Sequence, residues 1–234
     1  MGSLSQEHFA LLTDYETTAA YTQAFYTLFA NIRFHWENEQ KQSNEEQPVT
    51  THTLLVTSAS AYKDRATVAA NLAIVAAQSG AETILVDADL RSPGIQQRFG
   101  LKPGNGLSDL LEAGEITPQK IVTCLQSTFV PGLRVLGTGT ESVHGPTLLL
   151  SANLEKLTLG LRELLASSEK QSGIVLFHSA PVLSGADASL IGALTDQTVL
   201  AVIMGQTTRV QAKQAQEQLE QAHIKLAGVI MLHP

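Results

Sequence analysis

The chain has 234 residues, 44% of them hydrophobic, and a formal net charge of −7. That size and apolar content suffice for one buried core plus an appendage, while the acidic balance and the lack of Lys/Arg clusters exclude an extended nucleic-acid surface. The single cysteine, Cys124, excludes an internal disulfide and a Cys-rich metal site, and reads as a small apolar residue suited to a reducing compartment.

Residues 1–15 are polar and mixed, which predicts a loose arm with local packing of Phe9, Leu11 and Leu12. No basic start followed by an apolar block marks a leader. No apolar run approaches the roughly 18 to 20 residues needed to cross a bilayer. A cytoplasmic protein without direct membrane insertion is expected, reaching the inner face of a membrane only through a partner.

From Glu16 to Phe34, Ala20, Ala24, Phe25, Leu28, Phe29 and Ile32 recur at three- and four-residue steps, which predicts an amphipathic helix with Asp14 as its N-cap. Glu37 to Pro48 is polar and almost without apolar residues, which predicts a solvated linker. The expected division is an arm, helix and linker over 1–50 and an α/β domain over 51–234.

Beyond the linker, continuous apolar runs at Thr53–Thr57, Thr83–Val86, Leu133–Leu136, Ile174–Phe177, Thr198–Met204 and Ala227–Met231 read as strands buried on both faces. Helices are predicted over Arg65–Gln78, Gly106–Ala113, Thr147–Ser167, Asp187–Leu194 and Val210–Ala222. The alternation implies a doubly wound, mainly parallel α/β sheet with helices on both faces and a ligand crevice at the carboxyl ends of the strands. The glycines of Gly137–Pro146 predict a loop forming one wall of that crevice.

Thr53 to Ala73 is an apolar strand, a short loop and an Ala-rich helix. That is the layout of a phosphate-binding loop, whose glycines let backbone N–H groups wrap a phosphate at a helix N-terminus. The working pattern G-x-x-x-x-G-K-[ST] is absent: the loop reads Ala61-Tyr62-Lys63-Asp64-Arg65-Ala66-Thr67.

Four stretches together resemble the cytoplasmic domain of bacterial tyrosine kinases of capsule and exopolysaccharide export, P-loop relatives of the partitioning and septum-site ATPases. They are Gln23–Phe34, the strand, loop and helix ending Ala69-Ala70-Asn71-Leu72-Ala73, the segment Ile84-Leu85-Val86-Asp87-Ala88-Asp89-Leu90-Arg91-Ser92-Pro93, and the pair Gly106–Leu111 and Ala180–Leu183. The resemblance implies the P-loop NTPase fold and a site for ATP and Mg²⁺. At its glycine positions stand Tyr62 and Asp64, at its lysine Arg65, and at its Mg²⁺ hydroxyl Ala66. Tyr and Asp crowd a turn that favours Gly, Asp64 sets a carboxylate where phosphate charge belongs, Arg is no substitute for a lysine ammonium, and Ala66 has no oxygen for a metal.

The second acidic motif persists as Asp87 and Asp89; read from the residues alone, these are also strand-end caps paired with Arg91. The family's third carboxylate falls on His178, a poor Mg²⁺ ligand that reads as a plain strand-end histidine. Its adenine-reading Asn falls on Leu232. The Tyr-rich tail that the family phosphorylates on itself is not present in this sequence. The family's ring-closing charged positions fall on Gln23, Tyr26 and Phe29, with Arg33 beside them, and these are interface candidates as well as packing residues. Tyr15, Tyr21 and Tyr26 are packing residues or targets of an active relative.

The expectation is a catalytically inactive tyrosine-kinase-like scaffold or regulator with no cofactor. Its expected partner is an active kinase homologue or a membrane adaptor, with a homo-oligomer open. An atypical ATPase or tyrosine kinase using ATP and Mg²⁺ through Arg65, Asp87 and Asp89 stays open. So does a module for another small anion built on Arg65, Arg91 and the helix N-terminus at Ala66.

Overall fold

The computed structural model describes residues 11–14, 16–43, 51–62, 65–141, 145–167 and 172–232. Seven strands form one sheet in the order β3-β4-β2-β5-β1-β6-β7. They are β1 Thr51–Ser58, β2 Glu82–Ala88, β3 Leu125–Ser127, β4 Leu133–Leu136, β5 Gly173–Ser179, β6 Gln197–Ile203 and β7 Leu226–Leu232. All neighbours pair parallel except β3 with β4. The helices are α1 Ala20–Ser43, α2 Arg65–Gln78, α3 Ile95–Arg98, α4 Leu107–Glu112, α5 Pro118–Cys124, α6 Asn153–Ala166, α7 Asp187–Gly192 and α8 Arg209–Gln221.

Period-two alternation along the central strands feeds two cores. On one face Leu54, Val56, Leu85, Leu176 and Val199 pack with α1 and α2. On the other Leu55, Ile84, Val86, Val175 and Phe177 pack with α4 to α8. Helix α2 is buried from Ala66 to Ala77, because its many alanines let α1 lie over it while it presses on the sheet. Phe25, Phe29, Ile32 and Trp36 form the buried row of α1, and Trp36 stacks on His52 with ring centroids 4.4 Å apart and planes 3° from parallel.

Six of the predicted strands agree with the structure to within a residue or two at each end, and α2 spans the predicted residues. Other expectations need correction. Helix α1 starts at Ala20 and runs to Ser43, so residues 37–43 continue the helix and only 44–48 of the predicted linker fall outside the described residues. The segment is polar but holds Glu, Gln and Lys without Gly or Pro, good helix formers, and Arg33 pairs with Glu37 at 3.4 Å one turn on. Asp14 caps no helix; it ends a single 3-10 turn, Leu12–Asp14.

Within the expected loose arm, Leu11 and Leu12 are buried, while Phe9 and Tyr15 lie outside the described residues. The Leu12 amide donates to Asn71 Oδ1 at 3.0 Å, and Asn71 Nδ2 donates to the Tyr21 hydroxyl at 3.0 Å. The predicted helix 147–167 is broken into a 3-10 stretch, Gly145–Leu150, and α6. At the break Asn153 Nδ2 donates to the carbonyls of Leu111 and Ala113, closing the end of α4. The short elements α3, α5 and β3 were not predicted.

Candidate functional site

The carboxyl ends of β1, β2 and β5 bring the predicted residues together. Parallel register sets Val56, His178 and Asp87 side by side on the face covered by α2. Above them the chain leaves β1 as a loop and enters α2 at Arg65. The loop backbone is partly committed: the Ala59 amide donates to Ala201 O, and the Ala59 carbonyl accepts from the Leu183 amide.

Arg65 dominates this corner. Its guanidinium meets Asp89 Oδ2 through Nε at 2.9 Å and Nη2 at 2.8 Å, and it donates to the carbonyls of Tyr62 at 3.2 Å and Ser92 at 3.1 Å. The side chains are 14% and 0% exposed. The other oxygen of Asp89 accepts the amides of Arg91 at 3.2 Å and Ser92 at 2.9 Å. A carboxylate has about four acceptor sites, so Asp89 is saturated by its own chain.

Asp87 is committed elsewhere. Its Oδ2 accepts the amides of Gly94 and Ile95, each at 3.0 Å, and so holds the start of α3. A Cβ on Gly94 would lie 3.2 Å from the Ala66 Cβ, so this turn packs closely over the first turn of α2. Burial is the largest influence on Asp87 and pushes its pKa up to about 6, against the lowering effect of those amides. His178 is fully buried, and burial first, then Arg65 and Arg98, push its pKa down to about 3. Its ring is neutral, and the Val56 backbone acts on it as a weaker hydrogen-bonding influence in the opposite direction.

The sequence paired Asp89 with Arg91, and this is corrected: Arg91 turns its side chain away to Asp187, Nε to Oδ2 at 2.9 Å and Nη2 to Oδ1 at 3.1 Å. The counter-ion of Asp89 is Arg65, and sequence reasoning missed that role, as it missed Asp187 and Arg98. Their signal was weak, an Asp opening a short helix after a glycine and a lone Arg in a polar stretch. Tyr62 is half-buried at the end of the described loop, Ala61 is exposed, and Thr67 is buried in α2. Lys63 and Asp64 lie outside the described residues. Leu232 sits half-buried at the end of β7, packed against the α1 and α2 core.

Among the described residues, few oxygens at this corner are open to a Mg²⁺ ion. Mg²⁺ takes oxygen ligands in a near-ideal octahedron, whereas Ala66 presents a methyl group, Asp89 is saturated, and Asp87 holds α3. A phosphate would have to displace Asp89 from Arg65. The same saturation argues against a free anion site at Arg65, and Arg91 is engaged by Asp187.

On α1 the four interface candidates divide. Gln23 and Arg33 are exposed, Tyr26 is half-buried with its hydroxyl donating to Gln78 at 2.7 Å, and Phe29 is in the core. Phe29 is therefore a packing residue, because α1 turns that position onto α2.

No protein-family model matches the sequence. The chain is 30% identical over 230 residues to the tyrosine-protein kinase YwqD of Bacillus subtilis, covering 98% of this chain and 87% of that protein. The chain belongs to the bacterial tyrosine-protein kinases. It is also 32% identical over 163 residues to the putative tyrosine-protein kinase EpsB of Ralstonia solanacearum, covering 70% of this chain and 20% of that longer protein. Among solved structures, the chimerical protein CapA2B2 superposes with a TM-score of 0.78 at 25% identity, covering 95% of this chain and 88% of that one. The sheet order and helical layers are those of the P-loop NTPase fold, and no described helix is long and apolar enough to cross a membrane.

Proposed function

We propose that this member of the tyrosine-kinase family is catalytically inactive and serves as a scaffold or regulator in capsule or exopolysaccharide synthesis and export. It would work in the cytoplasm beside an active kinase homologue or a membrane adaptor. The observation that carries this reading is Arg65: it begins the helix where the fold receives phosphate, yet its charge is spent on Asp89 inside the protein. The chain's own guanidinium and carboxylate thus satisfy each other where relatives of this fold place a metal and a phosphate. The cradle is replaced by an internal ion pair.

A framework that keeps its strands, its helices and its family resemblance without that chemistry is a surface on which partners assemble. The exposed side of α1, with Gln23 and Arg33, is the first place to look for one. Isothermal calorimetry of the full chain with Mg²⁺ and ATP is expected to give no heat of binding in the micromolar range. Micromolar affinity, with phosphate release abolished by Asp87→Ala, would overturn the proposal and restore an active enzyme.

A further inference from the structure

The two edges of the sheet are unlike. The β3 edge is three residues long, and a short edge gives another chain little to pair with. The β7 edge is seven residues long, Leu-Ala-Gly-Val-Ile-Met-Leu, with no charge and no proline to blunt it, and among the described residues it pairs only with β6. The Met204 amide donates to the Leu232 carbonyl at 2.9 Å, so Leu232 and Ile230 turn their backbone groups toward β6. Alternation along a parallel strand then turns those of Val229 and Met231 outward. The same two residues carry exposed apolar side chains, 52% and 61% accessible.

We propose that β7 pairs antiparallel with β7 of a second copy of this chain, across a two-fold axis at Ile230. An edge whose outward amides and carbonyls meet no other strand among the described residues selects an extended strand as its occupant, and this strand is complementary to itself. An axis at Ile230 sets Val229 opposite Met231 of the second copy, and Met231 opposite Val229. Both residues offer outward N–H and C=O groups, so each pair exchanges backbone hydrogen bonds while its apolar side chains cover each other.

Charge points the same way. A chain of net charge −7 repels its copy over much of its surface, and β7 is a stretch without charge. Phe34 and Met204, 61% and 43% exposed, extend the apolar contact beyond the strand. Phe34 lines a groove of about 250 Å³ with Val229, Leu28 and Ile32. A stable dimer needs about 800 Å² from each partner, and these flanking residues contribute to it.

Sedimentation of the full chain is expected to show a concentration-dependent dimer. Met231→Lys, on an exposed position, is expected to raise the dimer dissociation constant by at least about ten-fold while circular dichroism stays unchanged. In a Cys124→Ala background, Val229→Cys and Met231→Cys chains are expected to cross-link on oxidation when mixed, and neither alone, because paired Cα atoms about 5.5 Å apart lie within disulfide reach. A monomer at every concentration overturns the proposal and leaves the edge to a strand from a different protein. A dimer indifferent to Met231→Lys, or a cross-link formed as readily by one variant alone, also overturns it.

Discussion

Arg65–Asp89 and Arg162–Asp196 are both arginine–aspartate pairs, set at opposite ends of the same sheet. At the amino ends of the strands, Arg162 reaches Asp196 at 3.0 Å and the Thr51 carbonyl at 3.3 Å, with the two side chains 29% and 30% exposed. At the carboxyl ends, Arg65 and Asp89 are 14% and 0% exposed. Water can stand in for a lost partner at the first pair and cannot at the second. The contrast teaches that the corner where α2 begins is tightly tied, because the buried carboxylate of Asp89 depends on Arg65.

The comparison breaks most sharply with Arg65→Met. Leaving Asp89 buried without its counter-ion is expected to cost about 3–5 kcal/mol, read as a drop in the urea midpoint at unchanged m-value. A loss below about 1 kcal/mol, the range of exposed pairs, would mean the two ends are equivalent after all.

A second test uses pH, because the buried corner holds two groups that titrate oppositely. His178 has its pKa lowered from 6.5 to about 3, so protons favour the unfolded chain, and this contribution is lost as pH falls below 6.5. Asp87 is raised from 3.8 to about 6, so its contribution is complete below 3.8 and lost as pH rises through 6. Each slope approaches about 1.4 kcal/mol per pH unit, and the two offset each other between about pH 4 and 6. His178→Leu is expected to leave a stability that falls as pH rises through this window, and Asp87→Asn one that rises. Urea midpoints at intervals from pH 4 to 7 that coincide for both variants would refute the assignment.

The smallest effect belongs to the other end. Arg162→Ala is expected to cost about 1 kcal/mol and to lose part of that difference in high salt. A salt-independent loss equal to that of Arg65→Met would erase the distinction.

Much of this fold was legible because parallel strands buried on both faces show as unbroken apolar runs, and α2 shows as an alanine helix. The extent of α1 was not, since a polar sequence reads alike as linker or as exposed helix until Trp36 is seen stacked on His52. Strand β3 was too short to leave a pattern. At the site, Asp87, Asp89, Arg65 and His178 were legible as positions but not as partners. Arg91 stands beside Asp89 in sequence, yet only its backbone amide serves Asp89, while its side chain bonds Asp187, 96 residues away. Pairing of that kind is settled by strand ends meeting in space, which local sequence does not encode.

Asn71 adds a mechanical consequence. It lies six residues along α2 from Arg65, about 9 Å at the rise of an α-helix, and its amide grips Leu12 on one side and Tyr21 on the other. Together with the packing of Phe25 and Phe29, that grip ties α1 and the 3-10 turn before it to the middle of α2. Displacing α1, or the 3-10 turn before it, along α2 therefore has to break these hydrogen bonds as well as the apolar packing.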